Sequence, residues 1–178
     1  MTGACDRTDG GNKAALSAEP LGAEPMQPPI LRHFADLSVA VARPTVIGDT
    51  GTGERRLVAI VGGTVSGSRL TGTILPGGSD DQRIGADGVT HIHARYLIEA
   101  EDGALIHVES VGLRSGAPEV MARLLRGETV SSTDVYFVTT LRFETSAARY
   151  RWMGGRVFIA NGERRGDRVF LSVYEVVA

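Results

Sequence analysis

The sequence predicts an all-β fold, an antiparallel β-barrel with one short α-helix. Three observations lead there. Apolar runs of strand length recur along the chain, turn-forming words separate them, and one segment alone has helical periodicity. The runs come in order. Leu37, Val39 and Val41 alternate with small residues in LSVAVA. LVAIV (57–61) is continuously apolar and leads into Gly62-Gly63, a pair that invites a bulge or bend. RLTGTIL (69–75), HIHARYLIE (91–99), ALIHVES (104–110), VYFVTTLRFE (135–144), RVFIA (156–160) and RVFLSVYEVV (168–177) complete the set. GDTGTGE (48–54), PGG (76–78), Asp87-Gly88, EDG (101–103) and NGERRGD (161–167) supply the turns. The helix is PEVMARLLRG. Pro118 suits its first turn, Val120, Met121, Leu124 and Leu125 form one stripe, and Gly127 can cap its end. Gly62, Gly63, Gly67 and Gly72 favour a barrel, lipocalin-like in general shape, because closure demands curved strands.

The chain divides into an N-terminal arm, 1–29, and a single barrel domain, 30–178. The arm holds four of the seven prolines, and all ten Phe, Trp and Tyr residues lie after it. It cannot bury enough apolar surface to offset the entropy of ordering, so a flexible arm is expected, with packing on a partner subunit as the alternative. Cys5, the one cysteine, falls in the arm, which excludes an internal disulfide and a thiolate metal site. A net charge of −2 gives no electrostatic case for nucleic acid. No apolar run approaches the roughly 20 residues of a membrane span, and the first residues lack a secretory apolar core. The expectation is a soluble cytoplasmic protein.

Chemistry concentrates in DGVTHIHARYLIEAEDGALIHVES (87–110), which carries three of the four histidines. Strand alternation puts Ile92, Ala94, Tyr96 and Ile98 on one face, and His91, His93, Arg95, Leu97 and Glu99 on the other. A two-residue turn at Asp102-Gly103 would mix the faces across the hairpin. A three-residue loop with Gly103 left-handed pairs Ala100 with Ala104 and sets Arg95 opposite Glu109 and Leu97 opposite His107. That register is the one expected. It yields an apolar face and a polar face of His91, His93, Arg95, Glu99, His107 and Glu109. The polar face either meets solvent or lines a barrel mouth, where a histidine could move protons and Arg95 could hold an oxygen. The spacing resembles the first metal motif of cupins, but the gap to Glu99 is too long and the second motif is absent, so no metal is expected.

Elsewhere, PGGSDDQR (76–83) places Asp80 and Asp81 side by side on what reads as a glycine-rich loop. Arg142 and Glu144 share a strand face with Tyr136 and Val138. Glu144 is a candidate base, with an Arg142 ion pair as its structural alternative. Trp152 and Tyr150 are candidates to wall a cavity or to pack a core.

GGTVSGSRLTGTILPGGSD (62–80), Asp87-Gly88, ARY (94–96), DGALI (102–106), Tyr136-Phe137, FET (143–145) and the pair Tyr150 and Trp152 occur in an order that resembles the domain of unknown function 3237 family, also called uncharacterised protein family 0311. The match covers about residues 34–178. It implies a compact, often oligomeric β-barrel near small-molecule metabolism, with no single defining activity. Asp80 falls on the family's GGxD word. Four positions depart from the pattern: Asp81 where Trp is usual, His93 where Asp is usual, Val138 where Arg is usual and Gly154 where Asn is usual. If those words line a pocket, the chemistry of this chain is altered.

The expected function is a cofactor-independent isomerase, cyclase or hydratase/lyase acting on a carbonyl-bearing metabolite. His93, Arg95, Asp80 and Glu144 are the catalytic candidates. His107, Glu109, Tyr136, Arg142 and Trp152 are the substrate-binding candidates. A small molecule and a second copy of the chain, as a dimer, are the expected partners. The rival readings are a non-catalytic carrier and a structural oligomer.

Overall fold

The computed structural model describes residues 27–178. In chain order it contains β1 (Ile30–Val41), β2 (Thr45–Asp49), β3 (Glu54–Ser66), β4 (Gly72–Ile74), β5 (Gly78–Ile84), β6 (Thr90–Ala100), β7 (Leu105–Gly116), α1 (Pro118–Leu125), β8 (Val135–Glu144), β9 (Phe158–Arg165) and β10 (Arg168–Val177). Most of the expected arm, Cys5 included, lies outside the described residues. No described helix is long and apolar enough to cross a membrane.

β1 closes the sheet. It pairs with β10 along one edge and with β3 along the other. From β10 the ladder runs through β9, β8 and β7 to β6, and β6 returns to β3 through β4 and β5. β4 and β5 share one place in the ring, split at Leu75–Gly77, so the antiparallel barrel has eight positions. β2 adds a short hairpin to β3.

Two strands were not expected. β2 and the start of β3 take up residues of GDTGTGE, leaving a tight turn at 50–53. β5 takes up GSDDQRI, which reads as a loop because it has no apolar alternation. Its neighbours β3 and β6 each offer a free ladder edge there, and satisfying those backbone groups overrides the local preference. The consequence is chemical. On a strand, Asp80 and Asp81 point to opposite faces, so they do not form a paired-carboxylate site.

The hairpin has the expected register. Ala100 N–H donates to Ala104 O at 2.9 Å, Gly103 has φ +80, and Arg95 and Leu97 stand opposite Glu109 and His107. The Gly62-Gly63 bulge is also present. Ala40 pairs with Gly62 and Val41 with Ile60, so Val61 is the extra residue. Gly63 has φ +150, and a Cβ there would lie 2.2 Å from Ser38 O on the closing strand. α1 buries Met121 and Leu124 of the expected stripe over one barrel end, with Val120 partly buried and Leu125 exposed.

The interior has two unlike halves. Away from α1 it is filled by Phe34, Phe143 and Phe158, whose ring centroids lie 4.9–5.7 Å apart, together with Ile74, Ile98, Ile106 and Met153. Arg69 covers this end, with its guanidinium carbon 4.0 Å above the Trp152 ring and an ion pair to the buried Glu175. Beneath α1 the interior turns polar.

The closing bulge yields the first prediction. Gly63→Ala combines a backbone conformation that L side chains avoid with a contact against the β1 backbone, so it should destabilise the barrel by about 2–4 kcal/mol. Chemical denaturation of the two proteins measures it, and an unchanged midpoint would contradict the role given to this position.

Candidate active site

Each strand of the barrel sends alternate residues inward. Under α1 those residues are Asp80 and Gln82 from β5, Tyr96 from β6, Ser110 and Arg114 from β7, Phe137 and Thr139 from β8, and Arg164 from β9. The rest of the wall is apolar, with Val39, Val58, Ile60, Ile92 and Leu171 among its residues. They enclose a chamber of about 40 Å³. That space holds a few waters or the head of a ligand, since one water needs about 10–15 Å³ by the same measure. Arg164 and Val41 also border an outer groove of about 540 Å³, made with Arg43, Pro44, Leu125, Arg126, Gly127 and Asp167. Val41 and Arg164 thus stand between the chamber and the groove.

Four buried side-chain atoms lack a hydrogen-bond partner among the described residues: Asp80 Oδ1, Tyr96 Oη, Arg114 Nε and Thr139 Oγ1. All four belong to residues that line this chamber. Buried polar groups are normally paired, so four in one place, beside a space with room for water or a polar head group, mark a candidate binding site. Asp80 is held by its other oxygen, Oδ2, which accepts from Gln82 Nε2 at 2.5 Å. Burial pushes the Asp80 carboxyl above the usual aspartate range, against the opposing pull of the Gln82 hydrogen bond and the Arg114 charge. Burial likewise raises Tyr96, so its phenol is neutral at physiological pH. Arg114 is 2% exposed and its guanidinium carbon lies 5.7 Å from the centre of the Phe137 ring. Burial, with Arg164 and Arg56 nearby, pulls its pKa down to about 10, which leaves it cationic at neutral pH. The chamber thus offers a carboxyl poised to carry a proton and a buried cation able to hold a developing oxyanion.

Of the candidates read from sequence, Asp80 alone lies in this chamber. The other placements need correction. His93, Arg95, His107 and Glu109 lie on the outer wall, because turning Ile92, Tyr96, Ile98, Ile106 and Val108 inward removes far more apolar surface from water. There they form a surface cluster. His93 Nε2 lies 2.7 Å from Glu109 Oε1, which also accepts from Arg95 Nε and Nη2 at 3.2 and 3.1 Å, and these hydrogen bonds hold the Glu109 carboxyl below its usual range. Tyr136 is 58% exposed, and Arg142 and Glu144 are exposed on the same outer face of β8, in register with Glu109 and His107. Trp152 packs on Phe34 and Phe158 in the filled half, so it is core rather than pocket wall. Asp81 pairs with Arg55 at 2.7 Å outside the barrel. Asp81, His93 and Val138, three of the four departures from the family pattern, therefore point away from this chamber, and Asp81 and His93 border a cleft on the outer wall instead. Among the described residues, no three of His, Cys, Asp and Glu gather as a metal site.

Comparison with known proteins places the chain. The family described as "Protein of unknown function (DUF3237)" matches residues 29–176. The chain belongs to this family. A UPF0311 protein of Bradyrhizobium diazoefficiens is 42% identical over 146 residues, 82% of this chain and 95% of that one. The crystal structure of a "beta-barrel like protein" from Acinetobacter baumannii superposes with a TM-score of 0.76 at 35% identity, covering 86% of this chain and 99% of that one. A more distant relative has a stated activity. It is a hydroalkoxylation enzyme of Penicillium herquei, 26% identical over 163 residues, 92% of this chain and 93% of that one. The family's β-barrel thus has a named enzyme among this chain's relatives.

The orphaned atoms give a stability prediction. Tyr96→Phe removes an unpaired buried hydroxyl and should leave the fold unchanged or stabilise it by about 1 kcal/mol. Asp80, with its folded pKa raised, favours the native state fully below the ordinary aspartate pKa and loses that contribution as pH rises through the raised value. Asp80→Asn should therefore be more stable than the parent at neutral pH, the difference vanishing in acid. Denaturation midpoints across pH measure both, and a neutral-pH loss in Asp80→Asn would contradict the assignment.

Proposed function

We propose that the protein is an enzyme that moves a proton within a small carbonyl-bearing molecule and closes a ring, adding a hydroxyl group across a carbon–carbon double bond. The observation that carries this reading is the convergence of a buried carboxyl, Asp80, whose pKa burial raises, and a buried cation, Arg114, on one small chamber where both keep unpaired atoms. The activity named for the Penicillium herquei relative supports the reaction class.

The step balances without an external partner. The Asp80 carboxyl gives its proton to one alkene carbon, and the π electrons form that C–H bond. The hydroxyl oxygen of the substrate forms the new C–O bond at the other carbon. The hydroxyl proton passes to the Asp80 carboxylate, which restores the acid. Nothing is oxidised or reduced, so the chemistry requires no organic cofactor. Arg114 draws charge onto the substrate's carbonyl oxygen as the double bond polarises, and the low dielectric of the chamber strengthens that pull. Tyr96 and Thr139 offer hydroxyls to fix the head group, and a bound head group displaces the few waters the chamber has room for.

Incubation with carbonyl compounds that carry a hydroxyl group within reach of an alkene should give cyclised products of unchanged mass, each with one carbon-bound deuteron when made in heavy water. Asp80→Asn should lower kcat/KM by about 100-fold or more, and the parent's rate should fall as pH rises through the raised Asp80 pKa, because the acid form does the work. Conversion at the parent's rate by Asp80→Asn would overturn the mechanism. Binding without conversion across the panel would favour a carrier.

A further inference from the structure

We infer that the chamber takes its ligand as an organic anion, through a carboxylate, enolate or phenolate oxygen that binds between Arg114 and Arg164. This deepens the reading of the site given above and rests on it.

The charge count at this end of the barrel is lopsided. The protein as a whole carries −2, yet the chamber and its outer groove gather Arg43, Arg114, Arg126 and Arg164 against Asp80 and Asp167. Arg126 is already committed to Glu128 at 2.7 Å. The neighbouring ion pairs go to other arginines, with Arg56 on Glu54 and Arg165 on Glu163. Arg114 and Arg164 form no salt bridge among the described residues. Arg114 is nine-tenths buried or more and has an unpaired Nε. Arg164 donates Nε to Gly166 O at 3.3 Å, a weak tether in a tight turn. The one carboxyl in the chamber, Asp80, lies near both guanidiniums but forms no salt bridge to either.

An uncompensated guanidinium in a nearly closed space is expensive unless an anion joins it. Planar oxyanions suit it, because the guanidinium fork donates two parallel hydrogen bonds to a carboxylate or an enolate. The geometry also orders the approach. Arg164 borders both the groove and the chamber, so an anionic head meets it first and Arg114 second. Arg43 in the groove and Arg164 at its inner end give an anion two successive cations on the way in, although the protein's overall charge would repel it.

The test uses fluorine NMR titration of the full chain with para-fluorohydrocinnamate, its neutral amide and a fluoronitrophenolate at neutral pH. The carboxylate should bind at least tenfold more tightly than the amide. Arg164→Gln and Arg114→Gln should each remove that preference. Arg164→Gln, at a half-buried position, carries the result if Arg114→Gln does not fold. Asp80→Asn should keep the preference while losing turnover, which separates failure of anion binding from failure of the proton-transfer reading. A phenolate that binds while the carboxylate does not narrows the ligand to enolate-like oxygens and still supports the assignment. Equal affinity for carboxylate and amide, a preference that survives both arginine changes, or binding of none of the three probes would overturn it.

Discussion

β1 is held by two neighbours, β10 on one edge and β3 on the other, and this double pairing turns a curved sheet into a closed wall. Closure leaves every residue of the eight ring positions two options, inside or outside, and adjacent residues must take opposite ones. A shift of one residue in any register would exchange Ile92, Tyr96 and Ile98 for His93, Arg95 and Leu97 in the interior. The apolar residues decide the register, and the polar residues that share their parity are carried inside as a result. Asp80, Gln82, Ser110, Arg114, Thr139 and Arg164 owe their burial to this constraint.

The two halves of the interior divide the tasks. The aromatic half gives what a small barrel needs for stability, a dry and densely packed core sealed by Arg69 on Trp152. The half beneath α1 gives up part of that stability to unpaired polar atoms. Such a trade is usual where a site must hold its groups ready for a ligand rather than satisfy them internally. The short helix fits this division, since Met121 and Leu124 cover the polar half and end near the groove that leads out from Arg164.

Much of this could be read from the residues. The hairpin register followed from sorting polar and apolar residues across Ala100 and Ala104, and the bulge from Gly62-Gly63. α1 followed from its stripe. β5 was hidden because GSDDQRI has no apolar partner for each polar residue, and its place is set by backbone edges on β3 and β6 that no local pattern reveals. Asp80 was legible as a candidate, but for a motif rather than for its position. Arg114 and Arg164 escaped notice because Arg114 lies beyond the run read as a strand, 104–110, and Arg164 lies in a word that reads as a turn, NGERRGD. Both were within reach of parity: Arg114 follows Ile106, Val108 and Ser110 along the inward side of β7, and Arg164 follows Phe158 and Ala160 along β9. The histidines drew attention through their rarity, which says nothing about the side of a wall on which a residue stands.

The packed aromatic half has one more consequence. With Phe34, Phe143 and Phe158 filling the far end, nothing passes straight through the barrel, and the chamber meets the outside at the α1 end, where Arg164 borders both it and the groove. Whatever enters from the α1 end must leave by the α1 end, because the aromatic half bars the way through. Arrival and departure then share one queue, and a molecule that has changed shape inside holds the next one at the threshold until it has gone.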